Sequence, residues 1–224
     1  MRAYLAQVFA IIWKDVRSEW RTKDIFSSMF VFVILVILIF NFAFELRVEN
    51  VKQVAPGALW VAFTFAGVLG LNRSFILEKD KGCLEGLLLA PADRSAVYLG
   101  KMLGNLLFMA VVELITLPIF VALFNVNLFR PALFLVIALG TIGFAEVGTL
   151  FAAMAVNTRA REVMLPVLLF SVSVPIIIAA VKATGAVLDN NPFSEMAPWL
   201  RLLIVFDVIF LVISFISFEY VMEE

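Results

Sequence analysis

"IFSSMFVFVILVILIFNFAF", residues 25–44, runs for twenty residues without a charge. An α-helix rises about 1.5 Å per residue and the hydrocarbon core of a bilayer is about 30 Å thick, so this stretch is one membrane span long. Its Phe, Val and Ile content would favour strands in water. Lipid offers no partner to an unpaired backbone amide, and that forces the helix. Five more segments meet the same criterion: Gly57 to Leu77, Val97 to Phe124, Ala132 to Val156, Val163 to Lys182 and Leu200 to Glu219. The sequence therefore predicts an all-α integral membrane protein with six transmembrane helices. No internal repeat or Gly/Ser linker divides it, so residues 1–224 are expected to form one transmembrane domain.

The bulk numbers agree. Of 224 residues, 63% are hydrophobic and 16% charged, against about 45–50% and about 25% in a soluble domain. The net charge is −1, with Lys and Arg interspersed among acids, which excludes a nucleic-acid-binding field. There is no histidine, and Cys83 is the single cysteine. A zinc site, a Ser-His-Asp arrangement, a histidine-ligated haem and an intrachain disulfide are thus excluded as self-contained features. The 23 phenylalanines are read as lipid-facing and packing residues.

Orientation follows from Lys and Arg in the short loops. Twelve of the seventeen lie on one side: Arg2, Lys14, Arg17, Arg21 and Lys23; Arg73, Lys79, Lys81, Arg94 and Lys101; Arg159 and Arg161. Arg47, Lys52, Arg130, Lys182 and Arg201 lie on the other. Both termini and the loop after the second span are expected in the cytoplasm. The first 24 residues lack the uninterrupted apolar core of a signal peptide. Leu5, Val8, Phe9, Ile12, Val16 and Trp20 recur at helical spacing, with Lys14, Arg17, Glu19 and Arg21 mostly on the remaining face. Residues 1–24 are predicted to be an interfacial amphipathic helix contacting membrane lipid, with Trp13 and Trp20 at the headgroup level.

The polar interruption is "LEKDKGCLEGLLLAPADRSAVYLGK", Leu77 to Lys101. Gly82 and Pro91 bracket a run in which Leu84, Leu87 and Leu88 share one face beside Glu85, with Gly86 allowing close approach. A helix of about two turns is unstable alone in water, so it needs a surface to pack on. Charges on either side rim an apolar centre, the anatomy of a docking patch. A connector whose leucines fold back on the membrane is the other reading of this spacing.

This pattern, E-K-D-K-G-x-L-E-G-L-L-L-A-P-x-x-R followed by a span beginning Gly-Lys, resembles the coupling loop of ABC-2 type transporter permeases. "APGALWVAFTFAGVLGLNRSF", Ala55 to Phe75, and "NTRAREVMLPVLLFSVSVPIIIAA", Asn157 to Ala180, are similar to the second helix and to the fourth loop and fifth helix of the CcmB family, the haem exporter protein B of cytochrome c maturation. The likeness runs over most of the chain from Val54 onward. Where many relatives have Glu-Arg late in the second helix, this chain has Asn72-Arg73. Cys83 stands where Ser or Thr is common, which marks it as a small filler.

The resemblance implies a type V exporter-like permease whose coupling helix, in residues 77–96, sits in a cleft of an ATP-binding subunit, with Glu78, Gly82, Leu84, Glu85, Leu87, Leu88 and Pro91 as the contact residues. The chain has no G-x-x-x-x-G-K-[ST] phosphate loop, so ATP belongs to a partner subunit and this chain is not an enzyme. The partners implied are a CcmA-like ATP-binding subunit, CcmC-like and CcmD-like membrane proteins, the haem chaperone CcmE and a second copy of the chain, in a bacterial inner membrane. No cofactor is expected on this chain, and haem is expected to be handled by partners. The implied work is release of haem-loaded CcmE driven by ATP hydrolysis. An ABC-2 exporter of a lipid or drug and an ATP-independent carrier are the alternatives.

Three acids fall inside spans: Glu113, Glu146 and Asp207. Charge in the bilayer centre is costly, so such groups face the bundle interior or water. No Lys or Arg is expected at their depth. They are expected to be protonated or bonded to neighbours such as Asn105, Thr116 or Thr149, or else to line a polar cavity in a dimer. Pro118, Pro166 and Pro175 lie inside spans, and Gly140, Gly143 and Gly148 are read as packing positions.

Overall fold

A computed structural model describes residues 2–45, 51–80, 82, 86, 93–126, 128–156, 158 and 160–221. Seven long helices account for nearly all of them: α1 Arg2–Thr22, α2 Asp24–Glu45, α3 Val51–Asp80, α4 Arg94–Phe124, α5 Pro131–Val156, α6 Arg161–Leu188 and α7 Phe193–Val221. Among the described residues there is no strand. Helices α2 to α7 are long and apolar enough to cross a membrane.

Most span boundaries fall within a few residues of expectation, and three do not: α3 begins at Val51, ahead of the expected Gly57, so that Lys52 lies on the helix rather than in a loop. Helix α6 continues past Lys182 to Leu188, and α7 begins at Phe193, ahead of Arg201. Lys182 and Arg201 were counted as loop residues. They lie on helices that outrun the hydrocarbon, and long cationic side chains at such ends reach back to the headgroups. Pro166 and Pro175 lie within α6, which is continuous across both.

Helices α3, α4 and α5 form the centre. Each packs on the other two; α2 adds to α3 and α4, α6 to α3 and α5, and α7 to α4, α5 and α6. The α3–α5 seam is close because it is built on glycine. A Cβ at Gly140 would strike the ring of Trp60, and one at Gly148 would strike Leu71. Small residues let membrane helices approach in this way. Trp60 is buried, and its indole N–H donates to Thr184 Oγ1 on α6 at 3.0 Å, which fixes the ring over Gly140.

Helix ends use the backbone's own chemistry. Asn125 ends α4 in the left-handed region at φ 51°, its N–H donating to Val121 O. Pro131 opens α5, where its missing N–H costs nothing. Three basic side chains cap helix C-termini, the negative end of the macrodipole. Lys79 Nζ donates to Val156 O at 2.9 Å, Arg130 to Val187 O at 2.6 Å and Arg94 to Glu219 O at 3.3 Å.

Helix α1 packs on α4 and touches α2. It has three faces rather than the two predicted. Leu5, Phe9, Trp13 and Trp20 are exposed, as an interfacial helix requires, whereas Val8, Ile11 and Glu19 are buried against the bundle with Asp15 between them. Val8 therefore leaves the lipid-facing set. Glu19 leaves the solvated face because its Oε1 accepts the Phe26 N–H at 2.8 Å, capping the start of α2. Between the two helices stands Lys23 alone, at φ 56°.

Candidate functional site

The predicted contact residues Leu84, Glu85, Leu87, Leu88 and Pro91 lie outside the described residues, as does Cys83. Gly82 and Gly86 are described. Gly82 has φ +66°, the left-handed conformation that ends helices and that glycine adopts without steric cost. Its N–H donates to Lys79 O at 2.9 Å, and its carbonyl accepts from Gly86 N–H at 3.3 Å. The chain thus turns sharply off α3 at Gly82 and enters the loop.

Glu78, one turn before that exit, is held inside the protein. Lys101 Nζ lies 2.6 Å from Glu78 Oε1 and 3.0 Å from Asp15 Oδ2. Lys14 pairs with the same Glu78 oxygen and lies 3.3 Å from Asp15 Oδ1. Two ammonium groups and two carboxylates thereby join α1, α3 and α4. Only 1% of the Lys101 side chain is exposed, and its Nζ also stands 5.5 Å from the centre of the Phe75 ring. A cavity of about 150 Å³ adjoins the cluster, with Ser18, Thr22 and Ser74 on its wall.

The charges tune each other. Burial disfavours the Lys14 ammonium, and attraction to Asp15 and Glu78 outweighs it, raising its pKa above the ordinary 10.5. At Asp15, burial is the largest influence; together with the like charge of Glu78 it outweighs the pull of Lys101 and Lys14 and raises the carboxyl above 3.8.

The other base of the loop is fastened as well. Asp93 N–H donates to Gln7 Oε1 at 3.4 Å, Tyr4 O–H donates to Ser95 Oγ at 3.2 Å, and Arg94 holds the last turn of α7. Both ends of residues 81–92 are therefore anchored to the body, each with a contact to α1.

The three intramembrane acids occupy two places. Glu113 on α4 accepts from Thr141 Oγ1 on α5, at 2.8 Å and 3.0 Å to its two oxygens. Asn105 and Thr149, expected as partners for an acid, bond to each other at 3.1 Å, and buried Thr116 Oγ1 has no partner among the described residues. Helical spacing explains this: Glu113 faces α5 at the level of Thr141, two turns above Thr149. Glu146 and Asp207 lie at the α5–α7 interface. Asp207 presses on Gly143, where a Cβ would collide with its carboxyl group, and Glu146 follows three residues later on α5. Both are buried; Glu146 Oε2 and both Asp207 oxygens have no hydrogen-bond partner among the described residues. None of the three acids forms an ion pair among the described residues.

The sequence missed the Lys14–Asp15–Glu78–Lys101 cluster. Lys101 was counted as a loop cation, yet it lies in the second turn of α4 facing inward. The available signal was the placing of Glu78 and Lys101 at the inner edges of consecutive spans, opposite charges across a short loop.

The CcmB protein family model matches residues 6–223. Similar chains include "Heme exporter protein B" of Pseudomonas aeruginosa, 26% identical over 198 residues and covering 88% of this chain and 89% of that one. The protein of the same name from Rhodobacter capsulatus is 28% identical over 172 residues, covering 75% and 78%. That from Bradyrhizobium diazoefficiens is 25% identical over 191 residues, covering 85% and 86%. Six spanning helices around an α3–α5 seam, an amphipathic first helix and a match over nearly the whole length agree with one another, and the chain belongs to the CcmB family of multi-pass membrane proteins.

Proposed function

We propose that this chain is the membrane subunit of an ATP-driven haem-handling complex of cytochrome c biogenesis in a bacterial inner membrane. Its family and the printed name of its relatives support the haem pathway. A separate CcmA-like subunit binds ATP and docks on residues 77–96 through Leu84, Leu87 and Leu88, with Gly82 and Pro91 bounding the contact helix and Glu85 beside it. Glu78 serves from behind, as the anchor of the loop rather than its docking surface. A homodimer of the chain with two such subunits, joined by CcmC-like and CcmD-like membrane proteins, releases haem-loaded CcmE when ATP is hydrolysed.

The observation that carries this reading is the fastening of both loop ends. Residues 81–92 leave α3 beside an ion cluster and enter α4 beside contacts to α1 and α7. A partner that moves the loop therefore moves the ends of two helices of 30 and 31 residues, and a helix transmits displacement along its axis.

The test is co-purification from native membranes of the wild type and of the triple variant Leu84→Asp, Leu87→Asp, Leu88→Asp. The wild type is expected to bring down a CcmA-like ATP-binding subunit with CcmC-like and CcmD-like membrane proteins and CcmE, and the variant to lose the ATP-binding subunit while remaining in the membrane. Cells lacking the gene are expected to lose covalent haem staining of c-type cytochromes. Intact staining would reassign the cargo to a lipid or drug, and transport surviving ATP depletion would make the chain an ATP-independent carrier.

A further inference from the structure

Where α1 turns into α2, a groove of about 410 Å³ opens on the outer surface of the bundle. Its walls are apolar: Val16 of α1, Phe26 of α2, and Leu107, Phe108 and Val111 of α4. Trp20 and Lys23 stand with Glu19 at its mouth. Leu107 and Val111 belong to an exposed apolar stripe on α4 that continues through Leu114 and Ile115, so the groove opens into the hydrocarbon. Glu19 and Phe108 stand between it and the cavity beside the charged cluster, lining both.

We propose that this groove binds one phospholipid from the leaflet on the side of α1, with an acyl chain in the groove and its phosphate on Lys23. Three observations select that occupant. The length fits: from Leu107, where α4 enters the groove, to Ile115 at the far end of the exposed stripe is about 12 Å at about 1.5 Å per residue, within the roughly 15 Å that one leaflet contributes to a hydrocarbon core of about 30 Å. The charge fits: Lys23 is exposed and no carboxylate among the described residues pairs with it, neither that of Glu19, which is buried and accepts the Phe26 N–H, nor that of the adjoining Asp24. The mouth fits too, because Trp20 is 81% exposed, and an indole beside a lysine suits the headgroup zone. The left-handed turn at Lys23 sets this cation at the junction of the two helices. The occupied groove joins α1, α2 and α4 on their outer side, opposite the ion cluster that joins α1 to α3 and α4 within.

The experiment uses the full chain in native membranes loaded with phosphatidylglycerol carrying a photoreactive diazirine on its acyl chain, with adducts mapped by mass spectrometry. The lipid-facing stripe Val205, Val208 and Val212 of α7 is more exposed than Leu107 and Val111 of the groove and serves as the internal reference. Adducts are expected to concentrate at residues 16–26 and 107–111 over α7. Lys23→Ala is expected to lower the groove adducts about fivefold, the size of one lysine's attraction for an anionic headgroup, with α7 unchanged and Lys23→Arg restoring them. Equal labelling of groove and α7 would overturn the proposal, leaving bulk lipid only. Disulfide cross-linking between copies at Leu107→Cys, with no lipid adduct there, would overturn it in favour of a second copy of the chain.

Discussion

At Lys101 a single side chain satisfies two carboxylates from two other helices. Breaking a buried ion pair by removing one partner costs about 3–5 kcal/mol, because the charge left behind stays out of water. Lys101→Met is therefore expected to lower thermal stability in detergent sharply, while Lys101→Arg, which keeps the charge, retains most of it. Lys14 is more exposed and contributes less, but its effect has a sign that pH can read. Its pKa is raised in the folded protein, so the stability it supplies is fully present below the ordinary 10.5 and is lost as pH rises through the raised value. Replacing Lys14 by Met should flatten that alkaline loss in unfolding curves taken at rising pH. Asp15, raised by burial, has its window on the acid side and loses stability as pH rises above 3.8 through its raised value. The intramembrane acids behave differently, because among the described residues no cation pairs with them. Asp207→Asn breaks no ion pair among the described residues, and Glu113→Gln keeps one oxygen to accept from Thr141 Oγ1, so both variants are expected to unfold within about 1 kcal/mol of wild type.

Single elements show most directly what patterning specifies. The six spans were legible because lipid removes every alternative to an internally hydrogen-bonded helix, so apolar length alone decides. The buried face of α1 was not. Val8, Ile11, Asp15 and Glu19 lie three and four residues apart, but two of the four are acids, and a two-sided hydrophobic pattern assigns acids to water. Only the approach of α4, carrying Lys101, makes that face an interior. The site divided in the same way: residue types and turn chemistry marked the loop at Gly82 and the inward acids, whereas the joining of Glu78 to residues 64 positions earlier and 23 later depends on tertiary packing. The glycine seam offers a test at this scale. Gly140→Val drives a branched side chain into Trp60, whose indole is held by Thr184; overpacking of this kind costs about 1–3 kcal/mol. Gly57→Ala, on the same helix as Trp60 with no atom within 4 Å of the added carbon, is expected to be neutral or slightly stabilising. Paired melting curves in detergent would separate the two.

For the whole molecule, orientation is the property on which the proposed partners depend. The excess of Lys and Arg predicts a cytoplasmic loop after α3, and the chain's single cysteine, Cys83, lies in that loop. A membrane-impermeant maleimide is expected to label Cys83 in inverted vesicles and to leave it unlabelled in intact spheroplasts. Labelling in spheroplasts alone would invert the topology and remove the docking site from the compartment that holds ATP.

The three lysine and arginine bonds to helix ends bear on how such a molecule can deform. Lys79 clips the end of α3 to α5, while Arg94 clips the start of α4 to α7. The two helix ends that flank the loop are thus fastened to different neighbours. A partner that displaces the loop is therefore expected to displace the ends of both α5 and α7. Midway along those two helices, Asp207 rests against the bare backbone of Gly143, where no side chain intervenes to keep them apart. Helices α5 and α7 are expected to tilt about that close contact when their ends are displaced.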